Sequence, residues 1–245
     1  MLLDKIIHFE NHFAEIQSSV IDKPYGKIFY DQKNPLSHDS NHAFIYEDSD
    51  YEFACKDLVD FYKSIDVIPR VYTFTKNKSE VGQFLEENGF NKSIDEICFY
   101  VQKHKKIIDI PQTLRFKRLN SIDETVSELL SSDPEQGEWG YKSLLTSIDK
   151  KDFYLFGGFE GEQLVCMASL YKMNDISRIN DVFTHKEKRG KGYGSQLINF
   201  VTAFNDRSLK TISYLYAHNP NAIKVYKKAG YEEVSGMMRG CYWLK

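Results

Sequence analysis

The sequence predicts an α/β protein: a mixed, mostly antiparallel sheet flanked by helices and laid out as two related halves. Three observations carry this. Short runs of alternating apolar residues interleave with runs at helical spacing. A glycine-rich turn at residues 189–194 joins one such strand directly to a helix. The order strand, helix, Gly-aromatic pair, strand occurs twice, ending at Gly89-Phe90 and again at Gly230-Tyr231.

The 245 residues suffice for two domains of ordinary size, and 42% hydrophobic with 27% charged residues is a globular composition. No apolar run reaches the roughly 18 residues of a membrane span, and Asp4 and Glu10 interrupt the N-terminal apolar stretch, unlike a signal peptide. Cys55, Cys98, Cys166 and Cys241 are scattered, without metal-ligand spacing, which fits a reducing cytoplasm. The expectations are a cytoplasmic location, no membrane association and no metal. Residues 1–112 carry 19 acids and 13 bases (net −6), and residues 113–245 carry 16 acids and 19 bases (net +3). The positive second half suits a phosphorylated ligand, and the excess is too small for nucleic acid.

In the first half, residues 27–30 and 42–46 read as strands, 53–64 as a helix, 70–75 as a strand, 79–88 as a helix and 97–101 as a strand. A basic stretch from Lys103 ends at Pro111, which places the boundary between segments 1–110 and 111–245. In the second half, residues 114–119 alternate apolar and basic side chains as a half-buried strand does. Ser121 with Glu124 makes a capping box for a helix through Leu130. A second helix is expected over 140–149, a hairpin over 153–171 with its turn at Glu160-Gly161-Glu162, and a strand over 178–184. A helix over 192–205, a buried strand over 211–216 and a helix over 219–229 closed by Gly230 follow. Two strands, 231–234 and 237–244, end the chain.

The chemistry concentrates at Arg189-Gly190-Lys191-Gly192-Tyr193-Gly194-Ser195, between the strand 178–184 and its helix. Three alternate glycines let the backbone turn tightly and present successive N–H groups at a helix N-terminus, which is a nest for a pyrophosphate. Neither the Walker pattern nor the GxGxxG dinucleotide pattern is present. The second constellation is Asn219, Ala222 and Tyr226, spaced to share one helix face. Asn219 before Pro220 also makes a good N-cap, and Tyr226 could equally be core packing.

Together these segments resemble the GCN5-related N-acetyltransferases, the GNAT superfamily. Arg189, Gly192 and Gly194 fill the Q/R-x-x-G-x-G/A consensus, and Asn219, Ala222 and Tyr226 fill the N-x-x-A-x-x-x-Y pattern that precedes a Gly-aromatic pair. The resemblance implies the GNAT acyl-CoA N-acyltransferase fold and acetyl-CoA as co-substrate. It places the backbone of Val182, Phe183 and Thr184 beside the pantetheine arm and the amides of residues 189–195 on the pyrophosphate. Asn219 would reach the cofactor, and Tyr226 would protonate the departing thiolate. Asp181, in the strand before the loop, is the candidate base, with ordered water as an alternative; simple strand alternation turns it away from Val182. Asn180 and Asp175 are neighbours with similar claims, and His185, in the turn, has a weaker one. Residues 133–141, with three acids and two aromatics, suit a cationic amine or an acidic surface loop.

By the same resemblance, residues 111–245 would be a catalytic GNAT domain and residues 1–110 a degenerate GNAT-like copy. An offset of 141 residues sets Leu85 opposite Tyr226 and Lys78 opposite Asn219, so the copy lacks the chemistry. The expected activity is acetyl transfer to a small-molecule or protein amine by direct attack in a ternary complex. The alternatives are a non-catalytic acyl-CoA-binding or regulatory module and an aminoacyl-tRNA-dependent peptide ligase. Homodimerisation stays open.

Overall fold

The computed structural model describes residues 1–75, 79–93, 97–103, 113–134 and 137–245. Compactness groups the chain into two units: unit 1 is Met1–Cys98 with Val234–Lys245, and unit 2 is Phe99–Glu233. The boundary read at residue 110, and Lys78 of the offset alignment, lie outside the described residues.

Unit 1 opens with α1 (Leu2–Phe13), whose buried Ile6, Phe9 and Phe13 recur at helical spacing. Next come β1 (Ser19–Lys23), β2 (Gly26–Tyr30) and β3 (His42–Ile45), paired antiparallel in sequence. Neither α1 nor β1 is among the sequence expectations; β1 is exposed along most of its length and so shows no alternation. A right-sized helix, α2 (Tyr51–Ser64), crosses over to β4 (Arg70–Thr75), which runs parallel to β3. The side chain of Asp50 caps α2 by accepting from Phe53 N at 3.1 Å, and Ser79 caps α3 (Glu80–Glu87) by accepting from Gly82 N at 3.1 Å.

After α3 comes the short β5 (Asn91–Lys92). The other partner of β4 is β12 (Tyr231–Trp243), with Tyr72 opposite Cys241 and Arg70 opposite Trp243. Ala43, Ile45 and Val71 face the helices, where Leu58, Tyr62, Val81 and Leu85 complete the core. Phe29 and Phe44 point to the opposite face and pack with Ala14.

Unit 2 takes in β6 (Ile97–Gln102) from Phe99 onward, then β7 (Arg115–Leu119), α4 (Glu124–Ser131), α5 (Gly137–Ser147) and β8 (Phe153–Glu160). It continues with β9 (Gln163–Met173), β10 (Ile176–Thr184), α6 (Tyr193–Phe204), β11 (Ile212–Ala217) and α7 (Pro220–Lys228). Its strands lie in the order β6-β11-β10-β9-β8-β7. Strands β7 to β10 pair antiparallel, and β10 pairs parallel with β11 across the α6 crossover, so the sheet is mixed as expected. Phe200 stacks on Phe116 at 4.9 Å and Phe204 packs on Phe156 at 4.8 Å, which fixes α6 against this face.

Three local expectations change. Helix α4 is capped by Asp123, whose Oδ1 accepts from Thr125 N at 3.1 Å and Val126 N at 3.4 Å, and not by Ser121, which lies too far upstream of the first turn. Helix α5 begins at Gly137, three residues before the expected start. The two final strands are one, β12, which runs through Gly236 at φ = 72°.

Candidate active site

The site is built where two parallel strands part. Ile176, Ser177 and Arg178 of β10 pair with Ile212, Ser213 and Tyr214 of β11, and among the described residues their register goes no further. Beyond Arg178, β10 continues to Thr184 with β9 as its partner. A β-bulge interrupts that pairing: Asn180 faces Ser169 and Phe183 faces Met167, so Asp181 and Val182 share one opposing residue. Asp181 takes φ = 48°. Simple alternation therefore fails at this point, so it no longer supports the reading that Asp181 turns away from Val182.

Asp181 Oδ2 accepts from Ser169 Oγ at 2.5 Å, and its Oδ1 accepts from Asn180 Nδ2 at 3.2 Å. Asn180 Oδ1 in turn accepts from Arg178 Nη2 at 3.1 Å. The Arg178 guanidinium, only 1% exposed, also donates to Tyr216 Oη at 2.6 Å and lies 4.2 Å from that ring's centroid. A polar chain thus runs from Ser169 through Asp181, Asn180 and Arg178 to Tyr216. Sequence reasoning missed Arg178, Ser169 and Tyr216. The available signal was an arginine set between Ile176 and Ile179 in a segment that reads as a strand.

Tyr226 sits on α7 beside Tyr216 and Tyr231. It is 6% exposed, and no hydrogen-bond partner of its hydroxyl occurs among the described residues. Burial, then the neighbouring Tyr231 and Tyr216 phenols, push its pKa well above the ordinary 10.0. Tyr231 differs: burial pushes it up to about 12, and its hydroxyl is shared with Ser213 Oγ at 2.7 Å and Thr202 Oγ1 at 3.0 Å. Asn219 is an N-cap, its Oδ1 accepting from Asn221 N at 2.9 Å and Ala222 N at 3.4 Å, with Pro220 in the first turn. Its amide Nδ2 is a separate donor, so capping leaves a second function chemically open.

The loop after β10 is held from several directions. Arg189 Nη2 meets Asp133 at 2.7 Å, and its Nε donates to Thr184 O at 3.2 Å. Lys188 and Tyr193 both hold Glu160, at the β8–β9 turn; their contacts keep the Glu160 carboxyl below the usual range, while Glu160 raises the Tyr193 phenol. Lys186 N donates to Ser132 Oγ at 3.3 Å. Gly190 and Gly192 take φ = 83° and 80°, and a Cβ on either would meet nothing within 4 Å. Backbone conformation, not packing, demands glycine there, and the loop faces open space. Gly194 is packed more closely, with Thr184 Oγ1 3.6 Å from its Cβ position.

The N-cap of α6 is Gly192, with no side-chain cap, so the first-turn amides point out uncapped, with the exposed Lys191 and the half-buried Ser195 alongside. Unit 1 has the reverse arrangement between its own parallel strands. There the turn from β3 to α2 carries Glu47, Asp48 and Asp50, and Asp50 occupies the helix N-terminus. A phosphate is favoured at one and repelled at the other.

The acid-rich region 133–141 is largely committed. Asp133 holds Arg189, and Glu138 pairs with Lys142 at 2.7 Å along α5. Trp139 and Tyr141 are half-buried, and Glu135 lies outside the described residues. Among the described residues no three His, Cys, Asp or Glu side chains group as a metal site would require, and no helix is long and apolar enough to cross a membrane.

Residues 117–231 match the model of the acetyltransferase (GNAT) family. No curated protein matches the sequence. Among solved structures, a GCN5-related N-acetyltransferase from Kribbella flavida is similar at TM-score 0.75 and 12% identity, over 98% of this chain and 94% of that one. A functionally unknown conserved protein from Staphylococcus epidermidis is similar at TM-score 0.67 and 15% identity, over 94% of each chain. A tandem GNAT protein from the clavulanic acid biosynthesis pathway is similar at TM-score 0.62 and 12% identity, over 96% of this chain and 86% of that one. The fold is that of the GNAT acyltransferases, and the family match with this fold supports an acyltransferase.

Proposed function

We propose that this GNAT-fold protein is an N-acetyltransferase that carries an acetyl group from acetyl-CoA to a primary amine by direct attack in a ternary complex. The observation that carries the reading is the N-terminus of α6: uncapped, opened by Gly190 and Gly192, and set at the end of a strand that has parted from its parallel neighbour. These features fit a coenzyme A pyrophosphate. Acetyl-CoA, when bound, supplies a thioester carbonyl and a thiolate leaving group.

In this reading the amides of residues 189–195 bind the pyrophosphate, and the backbone of Val182, Phe183 and Thr184 orients the pantetheine arm and the developing oxyanion. Tyr226 holds a proton at its hydroxyl for the thiolate; burial keeps the phenol protonated and its hydroxyl is uncommitted. Asp181 takes the proton from the amine, directly or through water, its orientation set by Ser169 and Asn180. Asn219 offers its Nδ2 to the cofactor. Unit 1, with acids in place of the glycine loop, acts as a degenerate copy, and the chain has one active site in the cytoplasm. The intact loop favours acetyl transfer over an aminoacyl-tRNA-dependent ligase.

A CoA-release assay over polyamines, amino acids, aminoglycoside-like compounds and peptide N-termini tests the proposal. Release is expected with at least one amine, and Tyr226→Phe should lower turnover about a hundredfold, the lower range of general-acid effects, with acetyl-CoA affinity nearly unchanged. Binding of acetyl-CoA without release to any amine would favour the non-catalytic module instead.

A further inference from the structure

The face of the unit 1 sheet that lies opposite α2 and α3 carries charged side chains in an apolar setting. Ala43 pairs with Val71 in parallel register, which sets His42 beside Arg70 and turns both away from the helices. His42 stacks on Tyr72 with ring centroids 4.1 Å apart. Tyr72 Oη donates to Asp39 at 2.9 Å, and Arg239 Nη1, from β12, meets the same carboxylate oxygen at 3.0 Å. The Arg239 guanidinium lies 4.4 Å from the Tyr72 ring centroid. Arg70, Arg239 and Asp39 all act electrostatically on Cys241, directly across from Tyr72, so these groups share one neighbourhood.

Two members are left with unmet hydrogen-bonding capacity. Arg70 is 8% exposed, and its Nη1 has no hydrogen-bond partner among the described residues. The titratable groups that interact with it are Tyr72, Cys241, Tyr62 and His38, none of them a carboxylate. His42 is 4% exposed; the backbone of Asp39 and of His38 acts on its ring, but neither nitrogen has a partner at good hydrogen-bond geometry among the described residues. Burial pushes its pKa down to about 3, so near neutral pH the ring is uncharged and holds one N–H donor. A buried guanidinium without an acid is costly, and so is an unbonded N–H. Two such groups at neighbouring register positions on adjacent strands call for a physical reason, and a bound ligand supplies one.

We propose that Arg70 and His42, backed by Arg239 and Tyr72, bind a carboxylate group of a small molecule on unit 1. The charges select the ligand class. No carboxylate is among the groups that act on Arg70, so one carboxylate balances its guanidinium and a phosphate dianion exceeds it. The guanidinium fork matches the two carboxylate oxygens, and the His42 N–H adds a neutral donor. Asp39, 28% exposed, and the exposed His38 mark where the site meets solvent. The inference uses residues of unit 1 only and stands apart from acetyl transfer.

The test is calorimetric titration and thermal melting of the full chain with sodium acetate and sodium benzoate, against sodium chloride at equal ionic strength and against inorganic phosphate. At least one carboxylate should bind and raise the melting temperature where chloride does not. Arg70→Met should abolish that shift while leaving the ligand-free protein at least as stable, since a buried charge is removed. Arg70→Lys, which keeps the charge but loses the fork, should weaken binding at least tenfold, and His42→Phe should weaken it with stacking preserved. Absence of any carboxylate-specific shift overturns the proposal. So does a shift that survives Arg70→Met, or tighter binding of phosphate than of either carboxylate. Arg70→Met that lowers ligand-free stability, with Arg70→Lys binding as the wild type does, would make Arg70 a structural residue.

Discussion

A phenol that donates its proton late in a reaction must keep it until then. The buried, unbonded Tyr226 meets both conditions, since desolvation disfavours the phenolate and nothing else claims the hydroxyl. Its place in the motif was legible in the sequence, as were the glycines of the loop, because both depend on short-range spacing. The polar chain behind Asp181 was not legible. It depends on a bulge that adds a residue to one strand, and on Ser169 and Tyr216, which arrive from other strands. At Gly192 a side chain would meet open space, so Gly192→Ala should cost about 1 kcal/mol through its positive φ alone. The same variant should weaken acetyl-CoA binding about tenfold or more, because the methyl enters the space left for the ligand. Titration calorimetry alongside a thermal melt separates these effects, and unchanged affinity would count against this loop as the cofactor site.

Among elements, the two parallel crossovers have opposite N-terminal chemistry. Helix α2 is capped by an aspartate from an acidic turn, and α6 opens on an uncapped glycine. Their existence was readable from helical periodicity. Their ends were less so, as the move from Ser121 to Asp123 at α4 illustrates: any short polar residue near a helix start can serve, and geometry decides. Helix α1 is amphipathic and could have been read from Ile6, Phe9 and Phe13, whereas the exposed β1 carries no such pattern. The α6 loop leans on the β8–β9 turn through Glu160, which holds Lys188 and Tyr193 together. Glu160→Gln should raise the KM for acetyl-CoA about two- to fivefold, the size expected of an exposed ion pair, with an unchanged melting temperature. An unaltered KM at low salt would show that the loop is held without this contact.

For the whole molecule, four buried phenols dominate the alkaline response. Tyr25, Tyr62, Tyr226 and Tyr231 are all raised by burial above the ordinary 10.0, so the folded chain keeps protons that the unfolded chain releases. Stability is complete below pH 10 and is lost as pH climbs through the raised values. The melting temperature should therefore fall steeply above pH 10, and Tyr62→Phe should soften that fall. A flat profile to pH 11 would contradict their burial. The compact units impose a second expectation: removal of residues 234–245 takes β12 from β4 and exposes Val71 and Tyr72. Such a truncation should unfold unit 1, and amide exchange across residues 26–75 should rise to that of an open chain. That exchange of a strand was not legible in the sequence, since a linear string shows which segment is a strand but not which neighbour it finds.

The same arrangement sets a timetable for synthesis. A chain leaves the ribosome N-terminus first at about 5–20 residues per second. Unit 1 is made first yet lacks its closing strand until β12 emerges, on the order of ten seconds after Cys98. Through that interval β4 presents an open hydrogen-bonding edge to whatever strand is near. Expression yield should thus respond to holdase chaperones and to translation speed between residues 99 and 233, even though the finished protein conceals the vulnerable edge.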